Sequence, residues 1–271
     1  MPAQNNSMLS FPFGGLIWKI SADSQRDVLV LELRSHEEHQ VDFAAIDLKT
    51  NQLLWQGVKP EETWWLGMDT AFEGRVYLHT YKDPQNPEHE GIFVLDSRSG
   101  KLLWKDSART FYHAGDDSLI VTEGNEDSRK YISLDPATGK VRGEYTLKDV
   151  FRIAAGKKEE EEGKIRNPYH FSAEHPYFSK ITSFIKEITG EEAVVAADYL
   201  ENGEQVIISF YLYSTEGLTN YVIVVDEEGR IAFRECMASR IKGIGFDTFF
   251  MFEQTLLFVK EKKELIFLKL S

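Results

Sequence analysis

The chain alternates short apolar runs with clusters of turn-forming residues, and the pattern recurs. Val28 to Leu33, Phe43 to Ile46, Arg75 to Tyr81, Ile92 to Leu95, Leu119 to Thr122, Tyr131 to Leu134, Gln205 to Tyr213, Tyr221 to Val225 and Thr255 to Lys260 are rich in β-branched and aromatic residues. They are four to nine residues long, the length and composition of strands. Between many of them lies one turn signature. Asp47-Leu-Lys-Thr50-Asn51-Gln-Leu-Leu-Trp55 is echoed by Asp96-Ser-Arg-Ser99-Gly100-Lys-Leu-Leu-Trp104, by Asp135-Pro-Ala-Thr138-Gly139-Lys140 and, one residue shorter, by Asp226-Glu-Glu-Gly229-Arg230. The carboxylate accepts turn N–H groups, and Gly or Asn supplies the positive φ that ends a four-residue hairpin loop.

A second pattern, apolar-x-x-Asp, precedes each hairpin: Ile20 to Asp23, Leu66 to Asp69, His113 to Asp116, Val195 to Asp198 and Ile244 to Asp247. His113 departs from the apolar first position. These Asp residues are 46, 47, 82 and 49 positions apart. One period is therefore about 47 residues, and one gap holds an extra insertion. The unit reads as strand A, Asp turn, strand B, loop, strand C, Asp-Gly turn, strand D. Four antiparallel strands per repeat of this length predict an all-β protein, a β-propeller of about five four-stranded blades in a single domain over 1–271. The last repeat holds strands A, B and C (Glu264 to Leu270), and Met8 to Phe13 are expected to supply its fourth strand.

The insertion, residues 147–190, falls between blades 3 and 4. Lys157 to Lys164 is a charged loop. Ser179 is placed to cap a short helix with Ile181, Phe184, Ile185 and Ile188 on one face and Gly190 at its end. The expected role is to cover a blade edge or the channel mouth. The alternatives are a lid, a partner-docking helix, or a degenerate sixth blade with Ile153-Ala-Ala-Gly156 as a remnant of its strand A.

The motif Leu-Asp-x-x-Thr-Gly-Lys followed by apolar-apolar-Trp, at 46–55, 95–104 and 134–140, resembles the repeat of the quinoprotein-like (PQQ-type) and WD40-like β-propeller superfamily. The third copy lacks the Trp, and the fourth lacks both Thr and Trp. The chain is also similar to an uncharacterised bacterial propeller-like family. The resemblance implies the fold and not an activity. Quinoprotein dehydrogenases are larger and often use adjacent cysteines, whereas this chain has one cysteine. Quinone binding, and any other cofactor, is not expected.

Composition narrows the function. A net charge of −13 opposes nucleic acid and anionic membrane surfaces. A single cysteine rules out an intrachain disulfide and a cysteine-based zinc site. No apolar run approaches a membrane span, and no secretory leader is recognisable, so the expected location is cytoplasmic.

Strand alternation puts the A–B and C–D turns on one face and the B–C and D–A loops on the other. The repeated Asp residues are read as turn caps. The opposite face collects His36-Glu37-Glu38-His39, the loop from Lys82 to Glu90 with His89, the segment Glu123 to Asp127, and His170 and His175. Imidazole and carboxylate together suit Zn²⁺ or Mn²⁺, but solvated acidic loops are the expected role and no metal is expected. Trp64, Trp65 and Tyr112 near the starts of strands A form an aromatic set for a sugar or planar ligand, or for packing between blades. No phosphate loop, Gly-x-Ser-x-Gly or EF-hand loop occurs. The leading expectation is a non-catalytic propeller that binds a protein through its B–C/D–A face. The alternative is a carbohydrate-binding protein or glycoside hydrolase at the channel mouth. His36, His39, His89, Trp64, Trp65 and Tyr112 are the candidate ligand-binding residues, and a small-molecule ligand remains open.

Overall fold

The computed structural model describes residues 7–60, 64–83, 85–115, 117–124, 128–155, 163–245 and 248–270. The described elements are almost all strands, in two compact units: residues 14–163, and residues 1–13 with 164–271.

The first strand of the chain is β1 (Met8–Pro12). Blade 1 then consists of β2 (Leu16–Asp23), β3 (Val28–Ser35), β4 (Gln40–Asp47) and β5 (Gln52–Val58). Blade 2 consists of β6 (Leu66–Phe72), β7 (Arg75–Asp83), β8 (Asn86–Asp96) and β9 (Leu102–Asp106). Blade 3 consists of β10 (Thr110–Ala114), β11 (Leu119–Glu123), β12 (Lys130–Leu134) and β13 (Val141–Tyr145). In each, consecutive strands pair antiparallel in the order A, B, C, D. The helix α1 (Leu147–Ala155) ends this unit.

The other unit begins with β14 (Ile165–Arg166), β15 (Tyr169–Ser172) and the helix α2 (Phe178–Thr189). Blade 4 follows as β16 (Val194–Asn202), β17 (Gln205–Ser214), β18 (Gly217–Val225) and β19 (Ile231–Ile241). Blade 5 holds β20 (Phe249–Phe252), β21 (Thr255–Lys260) and β22 (Glu264–Lys269), and β1 completes it beside β22, from Met8 opposite Leu268 to Pro12 opposite Glu264. The protein is thus an all-β propeller of five four-stranded antiparallel blades, with the expected N-terminal strand in the last one.

Period-2 alternation builds the core. Val76 and Leu78 of β7 pack with Val28, Val30, Phe43 and Ala45 of blade 1. Tyr77, between them in sequence, packs on the other side with Leu119, Val121 and Leu134 of blade 3. In the other unit, Val222 and Val224 of blade 4 meet Leu256, Phe258 and Leu268 of blade 5.

The C–D turns have the expected chemistry. Oδ1 of Asp47 accepts the N–H of Lys49 at 3.0 Å and of Thr50 at 2.8 Å. Oδ1 of Asp96 accepts Ser99, Asp135 accepts Ala137 and Thr138, and Asp226 accepts Glu228 and Arg230. Asn51, Gly100, Gly139 and Gly229 close these turns at φ of 55°, 68°, 70° and 75°. The tryptophan of the motif joins neighbouring blades. Trp55 of blade 1 donates its Nε1–H to the carbonyl of Ser97 in the blade 2 turn at 2.9 Å. Trp104 of blade 2 does the same to Pro136 in the blade 3 turn at 3.0 Å. Each indole lies on the glycine of the turn it reaches, Gly100 and Gly139 respectively.

Asp47 carries a pH-dependent share of stability. Burial pushes its carboxyl up, but the Thr50 turn contacts and the Arg98 guanidinium at 2.6 Å outweigh this and hold it below its ordinary value. A carboxyl more acidic in the folded chain favours folding once the unfolded chain has lost its proton, above about pH 4. That contribution fades as pH falls through the lower folded value. Asp47→Asn is therefore expected to reduce the acid-side slope of stability in urea melts between about pH 5 and 2. An unchanged slope would contradict this assignment.

Several expectations are corrected. The insertion is not a sixth blade, because Ile153 lies within α1, whose first turn is closed by Thr146 and Asp149. Its strands instead extend existing sheets: β15 pairs with β16, and β14 with β20. This is the expected edge covering. The helix α2 packs Ile185, Phe184, Ile181 and Ile188 onto blade 4 and ends at Gly190 with φ of 77°. Ser179 does not cap it: the cap position is Tyr177, without a side-chain hydrogen bond. Residues 157–162 of the charged loop, Glu126 and Asp127, and Asp116 and Asp247 lie outside the described residues.

The Asp residues of the second pattern are not equivalent. Asp23 ends β2 and accepts the N–H of Arg26, and of Gly74 in the next blade. Asp69 and Asp198 lie inside strands β6 and β16, and each meets histidine. Equal sequence spacing hides unequal turns: four residues, 24–27, follow Asp23, whereas only residues 73–74 separate β6 from β7. Asp69 is thereby drawn back into its strand.

Candidate functional site at the loop end of blades 1 and 2

Strand A of blades 1, 2 and 3 carries one extra residue relative to strand B. The pairing shifts between Ile17 and Lys19, between Met68 and Thr70, and between Phe111 and His113. The residues skipped are Trp18, Asp69 and Tyr112. A bulge bends its strand and re-aims the side chain it carries, so the irregular positions are also the chemically distinctive ones.

Two side-chain clusters occupy this region. In the first, Arg34 of β3 lies between two indoles, its guanidinium carbon 5.4 Å from the Trp18 ring and 5.3 Å from the Trp64 ring. His36 and His39, from the β3–β4 turn, sit 5.0 and 5.4 Å from the Trp64 ring. Beneath them Arg34 and Glu32 form a buried ion pair at 2.7 Å. Arg34 donates to the carbonyls of Leu66 and Trp64, and Glu32 accepts the Met68 N–H, which ties β3 to the start of β6. Trp64 also packs against the core shared by blades 1 and 2. Trp18 is 61% exposed.

In the second cluster, His79 of β7 and His89 of β8 stack with centroids 3.4 Å apart and planes 10° from parallel. Their Nδ1 atoms lie 3.0 and 3.3 Å from one oxygen, Oδ1 of Asp69. Burial pushes the Asp69 carboxyl up, but the two imidazoles beside it prevail and hold it below its ordinary value. Tyr81 meets both rings edge-on, at 5.1 and 5.5 Å, and Trp65 packs edge-on against Tyr81 at 6.3 Å. The side chains of Asp69 and His79 are buried, and His89 and Trp65 are exposed.

His89 was expected in a loop. It lies on β8 opposite Tyr81, because the β7–β8 hairpin continues to Asp83 opposite Asn86. The five histidines expected on one face have different neighbours. His36 and His39 join Trp64, His89 joins Asp69, His170 bonds Asp198 at 2.7 Å, and His175 packs on Phe171 and Tyr177. Among the aromatic set, Trp64 meets Arg34, Trp65 meets Tyr81, and Tyr112 meets Tyr131 at 5.1 Å. His79 was not among the expected residues. Its signal was an imidazole in the middle of a strand, two residues from Tyr77 and from Tyr81 and so in phase with both.

Fold and site define a five-bladed β-propeller with an aromatic and histidine-rich end on its first two blades. The family model for a domain of unknown function, DUF4905, matches residues 22–104, which span both clusters apart from Trp18. No curated protein matches the chain. Among solved structures, a member of the DUF4221 family from Bacteroides vulgatus is 10% identical, with a TM-score of 0.38, over 97% of this chain and 96% of that one. The Cps50 (Swd1) β-propeller domain of Myceliophteria thermophila is 10% identical, with a TM-score of 0.32, over 94% and 68%. A bifunctional GH43-CE protein from Bacteroides eggerthii is 11% identical, with a TM-score of 0.29, over 94% of this chain and 33% of that one.

Proposed function

We propose that the protein is a non-catalytic binding module, built from quinoprotein-like and WD40-like repeats, that engages a partner protein through the loop end of blades 1 and 2. The exposed indole of Trp18, held by a bulge over the rigid Arg34–Glu32 support, carries this reading. Large aromatics on a fixed backing are what concentrates binding energy at protein interfaces, since little side-chain freedom remains to be lost. Trp65, at 38% exposure, adds a second anchor. The glycan reading needs Trp64, Trp65 and Tyr112 as one platform, and their contacts with Arg34, Tyr81 and Tyr131 do not favour it.

Quantitative affinity capture from native cells tests the proposal. Trp18→Ser with Trp65→Ser is expected to lower partner recovery about tenfold or more while leaving the melting temperature nearly unchanged. Recovery equal to that of the unaltered protein would contradict it.

A further inference from the structure

We propose that Asp69, His79 and His89 form a site for one divalent first-row transition-metal cation, with Zn²⁺ as the representative. The three residues come from three adjacent strands, and each offers one ligand atom, all within 4.8 Å of one another. Two imidazole nitrogens and a carboxylate oxygen suit zinc, iron, cobalt or manganese. Mg²⁺ and Ca²⁺ favour oxygen alone.

Three observations point to a ligand rather than to ordinary packing. First, the interior of the cluster is unsatisfied. Oδ2 of Asp69 and both ring nitrogens of His79 are buried without a hydrogen-bond partner. Nδ1 of His79 lies 3.0 Å from Asp69 yet is not aligned as a hydrogen bond. Buried polar atoms left unpaired are costly, and such an exception calls for a cause such as a bound ion. Secondly, both imidazoles present Nδ1 to the same carboxylate oxygen, a convergence that a cation would satisfy and that stacking alone does not require. Thirdly, the backbone leaves room. A Cβ on Gly67 would come 2.7 Å from Nε2 of His79, so a side chain there would displace the ring.

Asp69 sits at the bulge with its carboxylate against both imidazoles, and the register of β7 and β8 shifts between Leu78 and Thr80, where His79 stacks on His89. His89, with 39% of its side chain exposed, is the route of entry. Tyr81 fixes both rings edge-on. Three protein ligands leave a coordination position for water.

The test is calorimetric titration of the chelator-treated full chain with ZnCl₂ alone, with melting curves in parallel. One Zn²⁺ per chain is expected, with a rise in melting temperature of about 5 °C at a hundredfold excess over Kd. His89→Ala, at an exposed position, and the near-isosteric Asp69→Asn should each weaken binding at least about tenfold, and His89→Ala should do so without lowering the metal-free melting temperature. The His36→Ala, His39→Ala double variant should bind as before, and MgCl₂ should not saturate the site. Sub-stoichiometric binding would overturn the proposal. So would unchanged affinity in His89→Ala, loss only in the His36, His39 double variant, or equal affinity for Mg²⁺. Partner capture is a separate readout, so either result can fail without the other.

Discussion

Replacing Glu32 by alanine is expected to destabilise the protein by about 3–5 kcal/mol and to lower its melting temperature by roughly 10 °C. Glu32 and Arg34 are 2% and 8% exposed at their side chains. One carboxylate oxygen takes the Arg34 Nε–H at 2.7 Å, and the other takes the Met68 N–H at 2.8 Å. Removing it strands a buried guanidinium and leaves a buried backbone donor unpaired, and both penalties fall on the junction of blades 1 and 2. Glu32→Gln should cost less, because the amide oxygen still accepts one N–H. The double replacement Glu32→Leu, Arg34→Met should recover much of the loss, because no isolated charge remains. Urea melts of the four proteins measure this. A cost below about 1 kcal/mol for Glu32→Ala would mean the pair does not hold the junction.

Gly100→Ala is expected to cost about 3 kcal/mol, an effect out of proportion to one methyl group. Gly100 sits at φ of 68°, where a side chain is strained, and its Cβ would stand 2.9 Å from Cγ2 of Val58 and 3.0 Å from the Trp55 ring. Strain and overpacking therefore act together. The two can be separated by a double-mutant cycle. Trp55→Ala removes the indole and its hydrogen bond to Ser97, and in that background the added methyl meets open space on one side. The cost of Gly100→Ala should then fall by the indole's share, to about 2 kcal/mol, with the backbone strain and the Val58 contact remaining. Strict additivity of the two substitutions would show that the indole does not rest on the turn.

The parts legible in the sequence are those whose chemistry is local. The Asp47, Asp96, Asp135 and Asp226 turns are specified within five residues, and each has the expected capping. The spacing of the upstream apolar-x-x-Asp pattern carries the blade count, and β1 supplies the fourth strand beside β22 as expected. The pairing of Trp55 with the next blade's Gly100 was not legible, since its two halves lie 45 residues apart and become neighbours only when blades stack. The helix α1 was hidden because its short apolar run Ile153-Ala-Ala suits a strand as well as a helix, and periodicity does not separate the two over so few residues. The site itself was legible only in part. His89 was found by composition but assigned to a loop, because Glu88-His-Glu90 is polar although it is paired as strand. Asp69 was read as a turn cap because its spacing matched Asp23. Bulge positions and turn lengths decided the outcome, and neither follows from residue type alone.

The central claim is that binding is concentrated at the Trp18 end of blades 1 and 2. The most direct measurement places a photo-crosslinking residue at position 18 or, as a control, at position 213, where Tyr213 is also highly exposed. Irradiation in native cells is expected to give one discrete protein adduct from position 18 and none of that mass from position 213. No adduct at position 18, or the same adduct from both positions, would contradict the account.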